Sequence, residues 1–236
     1  MRTPVILIPP SEGKAAGGTG APWSPGTMRF DLDDARVRVL RAARLDVTTA
    51  PTRPAIDRYS GVLYRELAYR ALDPPRRRRI DAQVVIFSGV WGLVAPRDPI
   101  PDYKRKMGAR VGRLGRLALW WRPHLTPVLD ARVHGRVVWD LLPREHEAAW
   151  PASAAPRQRI AVRFLDEHGR GKQRTLTTVS HWNKLLKGAL VRYLVDAQLT
   201  EPAGLAEFRH PEGYAYRPEL TTVDNERVVA SMVRSH

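Results

Sequence analysis

Lysine, serine, glycine and tyrosine at a few turn positions supply much of the chemistry this sequence can offer, and that chemistry is the recognition of negative charge. Lys14 follows Gly13 at the start of a long loop, where its amine can reach a phosphate as a point charge. The segment is not a P-loop, because Gly13-Lys14 lacks both the upstream glycine and a following Ser or Thr. Ser88 and Gly89, with Gly92 beyond them, follow an apolar run and offer backbone N–H groups where missing Cβ atoms let an anion approach. A tight turn that needs glycine dihedrals is the competing reading. Lys184, Lys187 and Arg192 fall off the apolar stripe of a helical segment, so that helix can pack and present cations together. A solvated basic face explains the same pattern. Ser180 is placed to cap this helix, whose first N–H groups could hold a phosphate. His146 has no second ligand at helical spacing, so no metal site and no cofactor are expected, and it is assigned to a surface helix.

Charge points the same way. Lys plus Arg exceed Asp plus Glu by 39 to 24, a formal charge of +15, and a chain this basic repels itself unless a polyanion supplies counter-charge. Genomic base bias explains arginine over lysine, but not basic over acidic. The absence of cysteine removes disulfides, thiolate metal sites and a cysteine nucleophile together. The N-terminal apolar run is ended by Pro9 and Pro10, too short for a signal core or a membrane span, so a cytoplasmic protein without membrane partners is expected.

The elements that must position these residues follow from periodicity. Val5 to Ile8, Gln83 to Phe87 and Arg136 to Leu141 read as strands. Arg159 to Phe164 and Arg174 to Thr178 read as a hairpin about the turn His168–Lys172. Tyr214 to Tyr216 and Arg227 to Val233 read as closing strands. Helices are predicted over Asp34–Leu45, Tyr64–Leu72 up to the stop at Pro74-Pro75, Leu114–Ala131 with a break at Pro123 or Pro127, Ser180–Gln198 and Pro202–Phe208. Residues 11–27, rich in Gly, Pro, Ser and Thr, read as a loop with little order of its own. The strands do not alternate strictly with helices, and no linker interrupts the chain. The expected fold is α/β: one domain over residues 1–236, a mixed sheet surrounded by helices, monomeric.

Four segments in order along the chain resemble the YaaA family of peroxide stress resistance proteins. They are Ile6 to Lys14 (ILIPPSEGK), Arg58 to Tyr64 (RYSGVLY), Phe87 to Gly108 (FSGVWGLVAPRDPIPDYKRKMG) and Ser180 to Arg192 (SHWNKLLKGALVR). The resemblance implies a ligand site drawn from Ser11, Glu12, Lys14, Tyr59, Tyr64, Ser88, Gly89, Asp98, Tyr103, Lys104, Asn183, Lys184, Lys187 and Arg192. Glu145 matches a family acid after the third strand. Plain alternatives stand beside three of these: Asp98 as a turn cap, Glu145 as a salt-bridge partner, Tyr103 as a core aromatic. Ala95 replaces a usual Arg, and Lys106 a frequent Glu, which puts any ligand contact at Ala95 in doubt.

The resemblance implies a protein that binds DNA or another polyanion in a basic cleft and limits peroxide damage. Arg76 to Arg79, Lys104 to Lys106 and the Lys184 helix would contact phosphates, and Tyr59, Trp91 and Tyr103 would stack on unpaired bases. The alternative is an enzyme acting on a phosphorylated or nucleobase-containing small molecule in the same cleft. Glu145 or Asp98 would then do acid–base or glycosidic-bond chemistry, with Lys14 beside them.

Overall fold

The computed structural model describes residues 2–151, 153–169, 174–178, 182–210, 212–224 and 227–235, excluding the side chains of residues 182–184 and 224. Strand β1 (Val5–Ile8) leads through the long loop to helix α1 (Asp33–Ala43), then β2 (Arg53–Pro54), α2 (Ala55–Arg58), α3 (Val62–Leu67) and α4 (Pro74–Gln83). Strands β3 (Val84–Ser88), β4 (Gly92–Val94), β5 (Pro99–Ile100), β6 (Arg110–Val111) and β7 (Gly115–Arg116) precede the long helix α5 (Leu117–Val133). The second half holds β8 (Val137–Asp140), β9 (Gln158–His168), β10 (Thr175–Thr178), α6 (Trp182–Ala197), β11 (Ala215–Tyr216), β12 (Thr222–Asp224) and β13 (Arg227–Ser235).

One sheet unites the two halves in the order β11-β13-β9-β8-β1-β3-β4. Strands β13, β9, β8, β1 and β3 are mutually parallel, and β4 closes one side antiparallel to β3. Strand β1 lies between two parallel neighbours, which is why all four of its side chains are apolar and wholly buried. From β1 the chain returns as β3 on one side, then crosses through α5 to β8 on the other. The connections after β1 and β8 therefore diverge, which opens a crevice beyond the carboxyl ends of the central strands, where open α/β sheets bind ligands. The α/β fold with a mixed sheet is the one expected from the sequence.

Several boundaries differ from the reading of the sequence, each for a local reason. Pro74 and Pro75 do not merely stop a helix; they start α4, because proline lacks the N–H that a first turn leaves unpaired, and Asp73 caps it by accepting from the Arg76 N–H. The arginine run is thus helical. Helix α5 passes through Pro123 and Pro127 without the expected break: both prolines are exposed, so the carbonyls they free can be solvated while Trp121, Leu125 and Leu129 stay packed. The hairpin of β9 and β10 forms antiparallel, with part of its turn outside the described residues. Loop 11–27 has almost no regular structure but is tied down: Gly20 bridges Thr52, and Trp23 packs against Trp91 with ring centroids 5.2 Å apart.

Helix α6 is enclosed more fully than its stripe implied. Leu186, Lys187, Leu190, Val191, Leu194 and Val195 are all buried, because α6 lies against α3 as well as the sheet. The contact with α3 depends on Gly188, where a Cβ would stand 2.4 Å from the Leu63 carbonyl oxygen. Gly188→Ala should therefore destabilise the fold by about 1–3 kcal/mol through overpacking, despite alanine's better helix propensity. A lower urea midpoint checks this, and an unchanged or higher midpoint contradicts the close approach of the two helices.

Candidate functional site

Beyond the carboxyl ends of β1 and β3 the sequence-predicted residues do meet. The Tyr103 hydroxyl lies 2.7 Å from the Tyr59 hydroxyl and 2.8 Å from Ser88 Oγ, which in turn accepts the Trp91 N–H at 3.1 Å. Lys14 Nζ sits over the Tyr103 ring, 4.2 Å from its centroid, and donates to the Ser11 carbonyl at 3.0 Å. Tyr64 donates to the Pro9 carbonyl at 2.8 Å, joining α3 to the end of β1. Glu12 pairs with Lys106 at 2.8 Å, both exposed. Lys104 is exposed beside them. Glu145 is half exposed, with Oε1 3.9 Å from His146 Nδ1.

Burial decides what these groups can do. Tyr59, Trp91 and Tyr103 are 2%, 0% and 4% exposed, so they build the floor of the edge and do not offer open faces for bases to stack on. Burial raises the Tyr103 hydroxyl to about 12, and it stays protonated at neutral pH as a hydrogen-bonding group. Desolvation lowers the Lys14 ammonium, against the opposing pull of Asp102 and Glu12. Gly89 does not leave room for an anion: a Cβ there would meet the Lys106 backbone at 2.7 Å, so the missing side chain admits the 105–106 chain itself.

Other candidates are placed apart from this group or in plainer roles. Asp98 is a turn cap, accepting the Arg29 N–H at 2.9 Å and the Ala95 N–H at 2.8 Å, and its burial raises its pKa. Arg192 donates to Glu66 at 3.0 Å. The cap assigned to Ser180 and the side chains of Asn183 and Lys184 lie outside what the structure describes. Lys187, expected to present its charge from an open face, is buried with 8% exposed. His146, assigned to a surface helix, ends a short 3-10 turn and is 1% exposed. Beside it Asp140, the last residue of β8, takes Arg159 Nε and Nη2 on one oxygen at 2.9 and 2.7 Å. An acid closing a β-branched run was the signal for that buried pair.

A second group, which sequence reasoning reached only through Arg76 to Arg79, gathers at the opposite, amino edge of the sheet. Arg78 and Arg79 line a depression of about 540 Å³ with Thr3, Gln83 and Gln198. Arg136 donates to the Thr3 carbonyl at 3.2 Å, Arg2 to the His134 carbonyl at 2.9 Å and Arg29 to the Asp81 carbonyl at 3.1 Å. Arg132 donates to the Ala82 carbonyl, while its Nε is buried without a partner. Desolvation, with Arg136 and Arg29 nearby, lowers Arg132 to about 10. Among the described residues none of these six arginines makes an ion pair. A depression of about 510 Å³ lined by Arg53, Arg70 and Arg97 lies by β2 and β5, and neither depression is lined by the Lys14–Tyr103 group.

No group of three or more His, Cys, Asp or Glu among the described residues is arranged to hold a metal, and no described helix is long and apolar enough to cross a membrane. The architecture is that of an α/β protein with a polar constellation at the topological switch of its sheet. The profile of the peroxide stress protein YaaA family matches residues 27–220. A UPF0246 protein of Streptomyces coelicolor is 35% identical over 232 residues, covering 86% of each chain. UPF0246 proteins of Cereibacter sphaeroides and Corynebacterium efficiens are 31% and 30% identical over 193 and 226 residues, covering 80% and 82% of this chain and 73% and 85% of theirs. The chain belongs to the YaaA family of peroxide stress proteins.

Buried His146 makes the site acid-sensitive. Desolvation lowers it to about 4, against the opposing influence of the nearby Pro143 carbonyl and Asp140, with Lys187 adding to the lowering. Its folded pKa lies below the unfolded value of about 6.5, so the unfolded chain binds more protons between those limits. The stability it contributes is complete above about pH 6.5 and is lost as pH falls toward 4, by roughly 3 kcal/mol in all. His146→Phe should flatten urea midpoints measured from pH 7 to 4.5, and an equally steep decline in the variant contradicts the assignment.

Proposed function

We propose that this chain acts in the peroxide stress response by binding the phosphate backbone of DNA, with the amino-edge arginines supplying the contact. The observation that carries the reading is Arg132, a guanidinium with a buried, unpartnered Nε and two further arginines nearby that repel it. Among the described residues no carboxylate pairs with this cation, and phosphate oxygens match its fork geometry. Arg78 and Arg79 on α4 widen the patch along an open depression, and the net charge of +15 supplies long-range attraction. The buried tyrosines take no part in this reading, so contact is with the backbone and carries little sequence preference.

A phosphorylated small molecule or nucleotide at the carboxyl edge is the second reading. It is favoured by Lys14, a partly desolvated amine held over Tyr103 at a switch point, with Lys104 close by and Glu145 within electrostatic reach of Lys106, the partner of Glu12. In that reading Glu145 and Lys14 are the groups available for acid–base work, since Asp98 is committed to its turn.

Titration of labelled duplex and single-stranded DNA across salt concentrations, beside a nucleotide panel, separates the two. Binding should weaken steeply with salt, and replacing both Arg78 and Arg79 by Ala should lower the slope of log K against log salt by about 2. Lys14→Ala should leave DNA affinity unchanged. Tight nucleotide binding that Lys14→Ala abolishes, with negligible DNA affinity, would establish the second reading instead.

A further inference from the structure

Lys187 lies on the first half of α6, and among the described residues its amine has no partner. It is 8% exposed and makes no hydrogen bond or ion pair among the described residues. Asp140, the acid whose charge reaches it, is already occupied: Oδ1 accepts the Leu142 N–H at 2.9 Å, and Oδ2 takes the two Arg159 donors. A buried ammonium without a carboxylate or carbonyl is costly, and losing its proton relieves that cost. Burial accordingly lowers Lys187 to about 8.

His146 stands close enough for the Lys187 charge to disfavour its protonation. Both of its ring nitrogens are buried without a hydrogen bond, Nδ1 standing 3.9 Å from Glu145 Oε1, and its ring meets Phe87 edge-on. A neutral imidazole offers one N–H donor and one lone pair, and here neither is used. Core polar groups are normally satisfied, so an amine and an imidazole that both lack hydrogen bonds among the described residues, each within electrostatic reach of Asp140 at the carboxyl end of β8, single out this place for a ligand.

We propose that Lys187 is a nucleophilic amine that condenses with an aldehyde or ketone entering from the carboxyl edge, with His146 as proton relay. The nitrogen lone pair adds to the carbonyl carbon, and one N–H proton ends on the carbonyl oxygen to give a carbinolamine. The second N–H proton passes through His146 to the hydroxyl, which leaves as water as the C=N bond forms. One water is released, and no oxidant or reductant is needed. Lys14, Lys104 and Lys106 at the same edge select a carbonyl compound that carries a phosphate. Desolvation of the amine is the route by which lysines become nucleophiles at neutral pH.

Reductive trapping tests this independently of DNA binding. The full chain is incubated with ribose 5-phosphate, or with butyraldehyde as a neutral probe, in sodium cyanoborohydride, and peptide masses show which lysine carries the secondary amine. At pH 7.5 Lys187 should label roughly tenfold faster than Lys104 or Lys106, because far more of it is unprotonated. Its rate should rise with an apparent pKa near 8. Ribose 5-phosphate should outpace butyraldehyde at Lys187, and equal rates sink the phosphate selectivity. His146→Phe should slow Lys187 several-fold, and an unchanged rate removes the relay. Labelling of Lys187 no faster than the exposed lysines overturns the proposal using the wild-type chain alone, whatever the folding of any variant.

Discussion

The carboxyl edge depends on one buried cation, Arg58. Its guanidinium is wholly enclosed and donates to the carbonyls of Ala15, Gly17, Pro51 and Ile100, drawing four loop positions around one planar group. No carboxylate forms an ion pair with it among the described residues; the compensation for desolvating it comes from carbonyl dipoles in the donor fork. This is what gives a Gly- and Pro-rich segment a fixed course. Ala15 follows Lys14 directly, and its N–H returns to the Arg58 carbonyl at 2.8 Å, so the lysine is held over Tyr103 from both sides. Arg36 does the same on the other side of the core, binding the carbonyls of Phe30, Trp91 and Leu93 and pairing with Asp33. Replacing either by lysine would leave carbonyls unpaired, because a point charge cannot reach several acceptors in one plane.

The same residue type therefore has two distinct uses in this chain. Inside, Arg58 is held by carbonyls and Arg36 by carbonyls together with Asp33, and both lock loops. At the amino edge, Arg132 and Arg136 each hold carbonyl or hydroxyl groups yet keep donors unspent, and Arg78 and Arg79 have no protein partner among the described residues. The sheet separates the two environments. Its amino edge collects arginines from strand starts and helix ends, whereas its carboxyl edge mixes lysines with Glu12, Asp102 and Glu145. A uniform positive field would suit a polyanion, and a mixed one suits a small ligand with both donors and acceptors. That division is why backbone binding and carbonyl chemistry are assigned to opposite ends of the molecule.

Periodicity in the sequence was enough to find β1, β3, β8, β9 and α6, since each is long enough or apolar enough for burial to show as a pattern. Periodicity did not bring Lys14, Ser88, Tyr59, Tyr64 and Tyr103 into one group; the resemblance to the YaaA motifs did, and the contacts among them arise because the sheet delivers the loops after its strands to one edge. Two-residue strands such as β5 and β6 carry no period and were invisible. The two prolines of α5 misled because their cost depends on whether freed carbonyls meet water, which is a property of exposure and not of sequence. Lys187 was read by its charge as an outward residue, and His146 by its acidic neighbours. Neither residue type states that it will be enclosed, and only packing against α3 and Phe87 decides it.

Composition sharpens the meaning of that enclosure. Of 39 basic residues only six are lysine, so arginine is this chain's default cation. Of the four lysines with described side chains, Lys14, Lys104 and Lys106 lie at the carboxyl edge and Lys187 is buried within reach of Asp140 and His146. None is at the amino edge, where a strong permanent charge is all that phosphate binding asks. Arginine keeps its proton under any ordinary condition, even when desolvated as Arg132 is. Lysine gives its proton up when water is removed, becoming a neutral amine with a free lone pair. A chain that draws most of its positive charge from arginine, yet places under the switch of its sheet a lysine without partners among the described residues, has put there the basic side chain that can act as a nucleophile as well as a charge.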